Sequence, residues 1–95
     1  MNVGILTLQV QFPGCKSLKE KRSRLKPLIA RLQKEFNISV AEIGWQDDWD
    51  SATIGVALIS NDSGYIHSSL QTITNWLNRN WPDIILMDDH IEIVT

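Results

Sequence analysis

The strict alternation of apolar and polar residues near the start of the chain limits the fold most strongly. Every second residue from Leu6 to Phe12 is apolar, and this period of two places these side chains on one face of an extended strand. Pro13 and Gly14 then break the pattern. Residues 3–12 therefore predict a β-strand with one face turned toward a hydrophobic core.

A helix is predicted directly after this break. Ser17 stands three residues before Glu20, which is the spacing of a capping box at a helix start. Pro27 is expected on the solvent side, where it removes a backbone donor and bends the helix. The apolar positions that recur at helical spacing are Leu18, Leu25, Leu28, Ile29, Leu32 and Phe36.

The rest of the chain repeats this arrangement with one extra strand. Residues 38–45 and 52–60 are rich in β-branched side chains and flank a polar connection, which predicts a hairpin. Asn61 or Asp62 can cap a second helix, which ends before Pro82. The apolar stripe of this helix is Ile66, Leu70, Ile73 and Leu77. Residues 84–94 are predicted to form the last strand.

The resulting order is β-α-β-β-α-β. This order predicts a ferredoxin-like α+β sandwich, with a four-stranded antiparallel sheet and both helices on one face. Because 95 residues suffice for one modest core, residues 1–95 are expected to form a single domain.

Positive charge is concentrated in the first helix. Eight of the nine Lys and Arg residues lie within residues 16–34, where Glu20 is the single acid, so this segment carries a formal charge of about +7. The rest of the chain carries about −9, although the formal net charge is only −2. The eight cations are Lys16, Lys19, Lys21, Arg22, Arg24, Lys26, Arg31 and Lys34.

This basic segment has two interpretations. A solvated helix face is the simpler one, and there Lys21 and Arg22 would flank the apolar stripe with their charged ends in water. A face for solubility alone usually mixes signs, however, because like charges at i,i+4 destabilise a helix. All eight cations are therefore candidate contacts to RNA phosphates. An acidic protein surface is the alternative partner.

The turn before the helix is a candidate anion site. Gly14 can adopt backbone angles that other residues avoid, and the first helical amides lack partners within the helix. Together with Lys16, Ser17 and Lys19, they could hold a phosphate or sulfate. An ordinary capped helix preceded by a glycine turn explains the same residues.

The sheet face away from the helices is expected to be apolar. Its candidate residues are Val3, Ile5, Ile43, Ala57 and Ile59. Such a face is unfavourable in water and predicts self-association. The third strand has no aromatic side chain on which a base could stack, which argues against binding of single-stranded RNA.

No catalytic or metal-binding pattern is readable. His67 and His90 lack metal-ligand spacing, the Asp residues at 47, 48 and 50 lack EF-hand spacing, and Cys15 has no partner cysteine. We therefore expect no enzyme activity, cofactor, metal or small-molecule substrate. The single cysteine indicates a reducing cytoplasm, and neither a signal peptide nor a membrane segment is expected.

Three blocks of sequence resemble the YlxP-like family, a bacterial domain of unknown function (DUF503). They are PGCKSLKEKR at 13–22, NISVAEIGWQDDW at 37–49 and IGVALISND at 54–62. The resemblance implies a ferredoxin-like fold, makes residues 17–22 signature positions and supplies no activity. Members are often encoded among genes for translation and ribosome maturation, which suits a helix that faces RNA. Pro27 departs from the family pattern.

The sequence thus predicts a small, non-enzymatic cytoplasmic protein that contacts structured RNA or a ribosomal particle through its first helix. The alternative is a homo-oligomeric adaptor whose basic helix docks on an acidic protein surface.

We expect no turnover of acyl phosphates. Acylphosphatases share this fold and hold phosphate in the loop after the first strand, which residues 10–15 superficially resemble. The loop here lacks their Arg, and the third strand lacks their Asn. An assay with a simple acyl phosphate tests this expectation. Hydrolysis that disappears on replacing Lys16 or Ser17 would contradict it.

Overall fold

The helices and strands follow the predicted order β-α-β-β-α-β. The computed structural model describes residues 1–45 and 47–95. Its elements are β1 (Asn2–Gln11), α1 (Leu18–Glu35), β2 (Ser39–Gly44), β3 (Ser51–Ser60), α2 (Ser63–Asn80) and β4 (Ile85–Val94). All pairings are antiparallel, and the strand order is β2-β3-β1-β4. The predicted ferredoxin-like α+β fold is confirmed, with element boundaries that differ from the predicted ones by about one residue.

The alternation in β1 produces one fully buried face. Leu6, Leu8 and Val10 have no exposed surface, and Leu6 stands opposite Val56 of β3 and Ile91 of β4. Both helices pack their apolar stripes onto this side of the sheet. The buried helical residues in this core are Leu25, Leu28, Leu32, Ile66, Leu70, Ile73 and Leu77.

A side chain caps the N-terminus of each helix. The Ser17 hydroxyl accepts a hydrogen bond from the Glu20 amide at 3.0 Å, and the Glu20 carboxylate accepts one from the Lys16 amide at 2.9 Å. The reciprocal bond of this capping box therefore reaches one residue beyond the cap. Asp62, rather than Asn61, caps α2 and accepts a hydrogen bond from the Tyr65 amide at 3.1 Å.

Aromatic rings close the core beside the end of α2. Phe36 meets Trp76 edge-on, with ring centroids 5.9 Å apart, and Trp76 lies 6.2 Å from Trp81. Such pairs stabilise by about 1 kcal/mol beyond the area that they bury. Trp76 and Trp81 therefore have a packing role.

Gly4 of β1 lies so close to α2 that the packing leaves no room for a side chain. A Cβ at this position would overlap Ile66 Cγ2 and lie 3.0 Å from Leu70 Cδ1. We expect Gly4→Ala to lower the free energy of unfolding by about 1–3 kcal/mol, the usual cost of overpacking. Chemical denaturation followed by circular dichroism measures the change. Gly64→Ala is the control, because its Cβ meets only the Asp62 carboxylate, at 3.3 Å. Equal stability of both variants would contradict the expectation.

Candidate nucleic-acid interface

The eight cations of the basic segment fall into two groups. In the described part of the chain, five of their side chains have no hydrogen bond or ion pair with another residue, and all five residues are exposed. These five are Lys16, Lys19, Arg22, Lys26 and Lys34. The other three contact the protein itself.

The exposed cations form a stripe along α1. Lys19, Arg22 and Lys26 follow the i, i+3, i+7 spacing, which places them on one side of the helix. Only small or neutral exposed residues, such as Ser23 and Ala30, lie among them. Lys16 precedes the helix and Lys34 lies in its last turn. We call these five cations the basic stripe.

Neither acid of α1 pairs with a charged side chain of the basic stripe. The Glu20 carboxylate accepts a hydrogen bond from the Lys16 amide, and Glu35 pairs with Arg31 at 2.9 Å. Neither carboxylate is therefore engaged with a side chain of the stripe. An approaching anion meets five side chains whose charges are not balanced within the described structure.

Lys21 does not contribute to the predicted basic surface. Its side chain is fully buried, and its ammonium donates to Glu42 Oε2 at 3.0 Å, to the Trp45 carbonyl at 2.9 Å and to the Ser51 carbonyl at 3.1 Å. The expectation that its charged end stays in water is wrong. Three acceptors compensate for the lost hydration of the ammonium.

The sequence contained a signal for this burial. Lys21 precedes Leu25, Leu28 and Leu32 by four, seven and eleven residues, so it lies on the same side of the helix as the three most buried leucines. A lysine in that position either disrupts the stripe or finds acceptors within the fold. Glu42 on the second strand is one such acceptor.

Two arginines expected to face RNA are held against the protein. Arg24 donates to the Pro13 carbonyl at 2.9 Å and to the Asp83 carbonyl at 2.8 Å, and its guanidinium lies 5.3 Å from the centre of the Phe12 ring. Its exposure is intermediate, and both carbonyl acceptors lie at the surface, so part of its guanidinium is already engaged by the protein. Arg31 pairs with Glu35 and lies over the Trp76 ring, although it remains exposed.

Side chains of the protein already accept hydrogen bonds from two backbone amides of the predicted anion site. Gly14 has a φ of 76°, the left-handed conformation that glycine favours. The amides of Lys16 and Glu20, however, already donate to the Glu20 carboxylate and the Ser17 hydroxyl. An external anion would have to compete with that carboxylate. Anion binding by Gly14, Lys16, Ser17 and Lys19 stays a prediction.

The loop between β2 and β3 is acidic and aromatic. Trp45 and Trp49 are about half exposed, and Trp45 has a φ of 58°, which is uncommon for a residue other than glycine. Hydrogen bonds with Asp50 lower the pKa of Asp48, and the positive charge of Lys21 lowers it further. This end of the molecule is thus unfavourable for phosphate.

The outer face of the sheet carries the predicted apolar residues. Val3, Ile5 and Ala57 are half-buried there, whereas Ile43 and Ile59 are exposed. A shallow depression of about 350 Å³ lies among Ile5, Ile43, Ala57 and their neighbours.

Neither helix is long and apolar enough to span a bilayer within the described ranges. Residues 1–45 and 47–95 contain no group of three or more His, Cys, Asp or Glu side chains arranged to hold a metal ion.

The fold and the basic stripe define a small ferredoxin-like α+β protein with one exposed cationic helix face. A family model described as "Protein of unknown function (DUF503)" matches residues 3–90, and the chain belongs to that family. It is also similar to the "Uncharacterized protein YlxP" of Bacillus subtilis (strain 168), with 38% identity over 68 residues. The match covers 72% of this chain and 73% of the relative.

Replacing Lys21 should destabilise the fold. Lys21→Met leaves the Glu42 carboxylate without the Lys21 ammonium and removes one donor from each of two carbonyls, so we expect a loss of about 3 kcal/mol. Lys19→Met is the matched control, because the same substitution on the exposed side of α1 should change stability by no more than about 0.5 kcal/mol. Urea denaturation measures both variants. Similar losses would show that the buried ammonium contributes little.

Proposed function

We propose that this protein contacts structured RNA, such as a ribosomal particle or its precursor, through the basic stripe of α1, without catalysing a reaction. The observation that carries the proposal is the row of five exposed cations that have no partner in the described part of the chain. We propose that this contact takes place in the cytoplasm, because the free Cys15 is consistent with a reducing compartment.

The chemistry of the stripe favours phosphate over bases. Lysine and arginine on an exposed helix neutralise phosphates and release counterions, and these contacts carry no base information. Stacking of unpaired bases would need aromatic side chains on β1 and β3, and these two strands contain none. Recognition of a folded RNA by the positions of its phosphates therefore fits better than reading of a single strand.

Lys21, Arg24 and Arg31 are left out of the proposed surface. Lys21 is buried, and both arginines have partners within the protein. Three to five side chains of the basic stripe remain for contact. At about 0.7–0.9 counterions released per contact, log affinity should fall against log salt with a slope of about −2 to −4.

The decisive variant removes two charges from the stripe. We expect Lys19→Gln with Lys26→Gln to weaken binding of all structured RNAs alike and to flatten the salt slope by about 1.5, because two phosphate contacts are lost. Titration of ribosomal RNA or small ribosomal subunits at several salt concentrations measures both quantities. The fold should persist, since both residues are exposed.

Arg31→Gln with Arg79→Gln is the matched control. It changes the net charge equally but removes one arginine that is paired with Glu35 and one that lies on α2. This control should keep the native slope. If both double variants weaken binding equally, net charge rather than the stripe controls the interaction, and the proposed surface is wrong.

An acidic protein surface is the second candidate partner of the stripe. The acidic outer strand of another copy, with Asp88, Asp89 and Glu92 on β4, offers such chemistry. Salt dependence alone does not separate the two partners, but nuclease treatment does. If purified RNA does not bind at low salt while partners captured from a lysate persist after nuclease digestion, the helix binds protein and the RNA proposal fails.

A further inference from the structure

The outer face of the sheet has a regular apolar half. The pairing registers place Val3 beside Ile59 on one side and Val94 on the other, and they place Ile5 beside Ala57 in the next row. Ile59 is 65% exposed, Ile43 54% and Val94 47%. Contiguous apolar side chains of this size on a sheet face are characteristic of a contact surface.

The charges on this face indicate which kind of partner fits. The described outward positions of β1, β2 and β3 are neutral, and no Lys or Arg lies among them. Negative charge enters only from β4, where Asp88 pairs with Gln9 and Glu92 pairs with Ile5. RNA and anionic membranes would meet apolar side chains beside acids, so a largely neutral protein surface is the better match.

A second copy of the chain supplies such a surface at sufficient size. Three strands of ten residues and one of six, about 4.8 Å apart with a rise of about 3.3 Å per residue, present roughly 570 Å² per copy. Two copies would therefore bury about 1,100 Å², which exceeds the roughly 1,000 Å² that a specific interface should reach. Facing sheets pack about 10 Å apart, with strands within about 30° of one another.

We propose that two copies associate through the outer face about a two-fold axis that runs parallel to the strands between β1 and β3. This axis lays β3 on β1 of the second copy and β4 on β2 of the second copy. Ile59 then packs on Val3 of the other chain, and Ala57 packs on its Ile5, because each pair shares one register level. The depression beside Ile43 is covered by the same contact.

Charge selects this axis over the perpendicular one. A two-fold axis across the strands would lay β4 on β4, and Asp88 and Glu92 of both copies would face each other. The parallel axis instead sets Glu92 over Ser39 of the second copy, since Ser39 and Glu92 share the register level of Ala57 and Ile5. Like charges directly opposed across a contact are destabilising.

The first test replaces Ile59, the most exposed large apolar residue of this face in the described part of the chain. Light scattering and sedimentation of the full chain at micromolar to millimolar concentration should give a dimer, and Ile59→Lys should raise its dissociation constant at least tenfold. Tyr65→Lys is the control, because Tyr65 is comparably exposed on α2, in the helical layer. It should leave the dimer intact. A monomer throughout, or a dimer that Ile59→Lys does not weaken, overturns the proposal.

The second test checks the axis. Ser39→Lys should tighten the dimer several-fold by meeting Glu92 of the second copy, and Ser39→Glu should loosen it. Within one chain two intervening strands separate Ser39 from Glu92, so their charges are largely screened. A dimer that responds equally to both substitutions, or with the opposite sign, overturns the parallel axis.

Self-association and RNA contact are separable in these experiments. Both helices pack on the sheet face opposite to the outer face. In the proposed dimer the two outer faces meet, so α1 of each copy would lie on the surface of the dimer. The monomeric Ile59→Lys variant should therefore retain RNA binding and its salt slope. The Lys19→Gln, Lys26→Gln variant should retain the dimer, so failure of one proposal leaves the other testable.

Discussion

The orientation of α1 depends on the buried ammonium of Lys21. Its acceptors among the described residues belong to β2, to the loop that follows β2, and to the first residue of β3, so one side chain joins the helix to the whole hairpin. A residue two positions away on a helix points about 200° from it. With Lys21 directed into the fold, Lys19 must therefore point into solvent. The basic stripe is thus a geometric consequence of the buried lysine.

Most of the fold follows from local patterns, whereas the fate of individual cations does not. The alternation in β1, the caps at Ser17 and Asp62, and the apolar spacing in both helices predicted the order and pairing of the elements correctly. Helical spacing also indicates the burial of Lys21, because it lies on the same side of α1 as the buried leucines. The hydrogen bonds of Arg24 could not be predicted in this way, because its carbonyl acceptors, on Pro13 and Asp83, lie far apart in the sequence. Those acceptors come together only when α2 ends beside the first loop.

Backbone conformation in the hairpin loop was equally beyond prediction. Trp45 adopts a left-handed conformation that costs a residue with a side chain about 1 kcal/mol. Its carbonyl accepts hydrogen bonds from both Lys21 and the Asp48 amide, which offset that cost. Nothing in the local sequence marks this residue for positive φ, because the stabilising donor comes from α1, 24 positions earlier.

Charge is separated across the sheet as well as along the chain. The basic helix α1 packs beside β2, whereas α2 packs over β1, β3 and β4, so the cations collect near one edge and the acids of β4 line the other. The acids at the β4 edge also protect an unpaired strand from further pairing. Such a charge distribution orients the molecule in the field of a polyanion and presents α1 first. In the proposed contact, the acids of β4 and of the hairpin loop would confine a polyanion to α1. The basic stripe is therefore a narrow surface rather than one part of a broad positive patch.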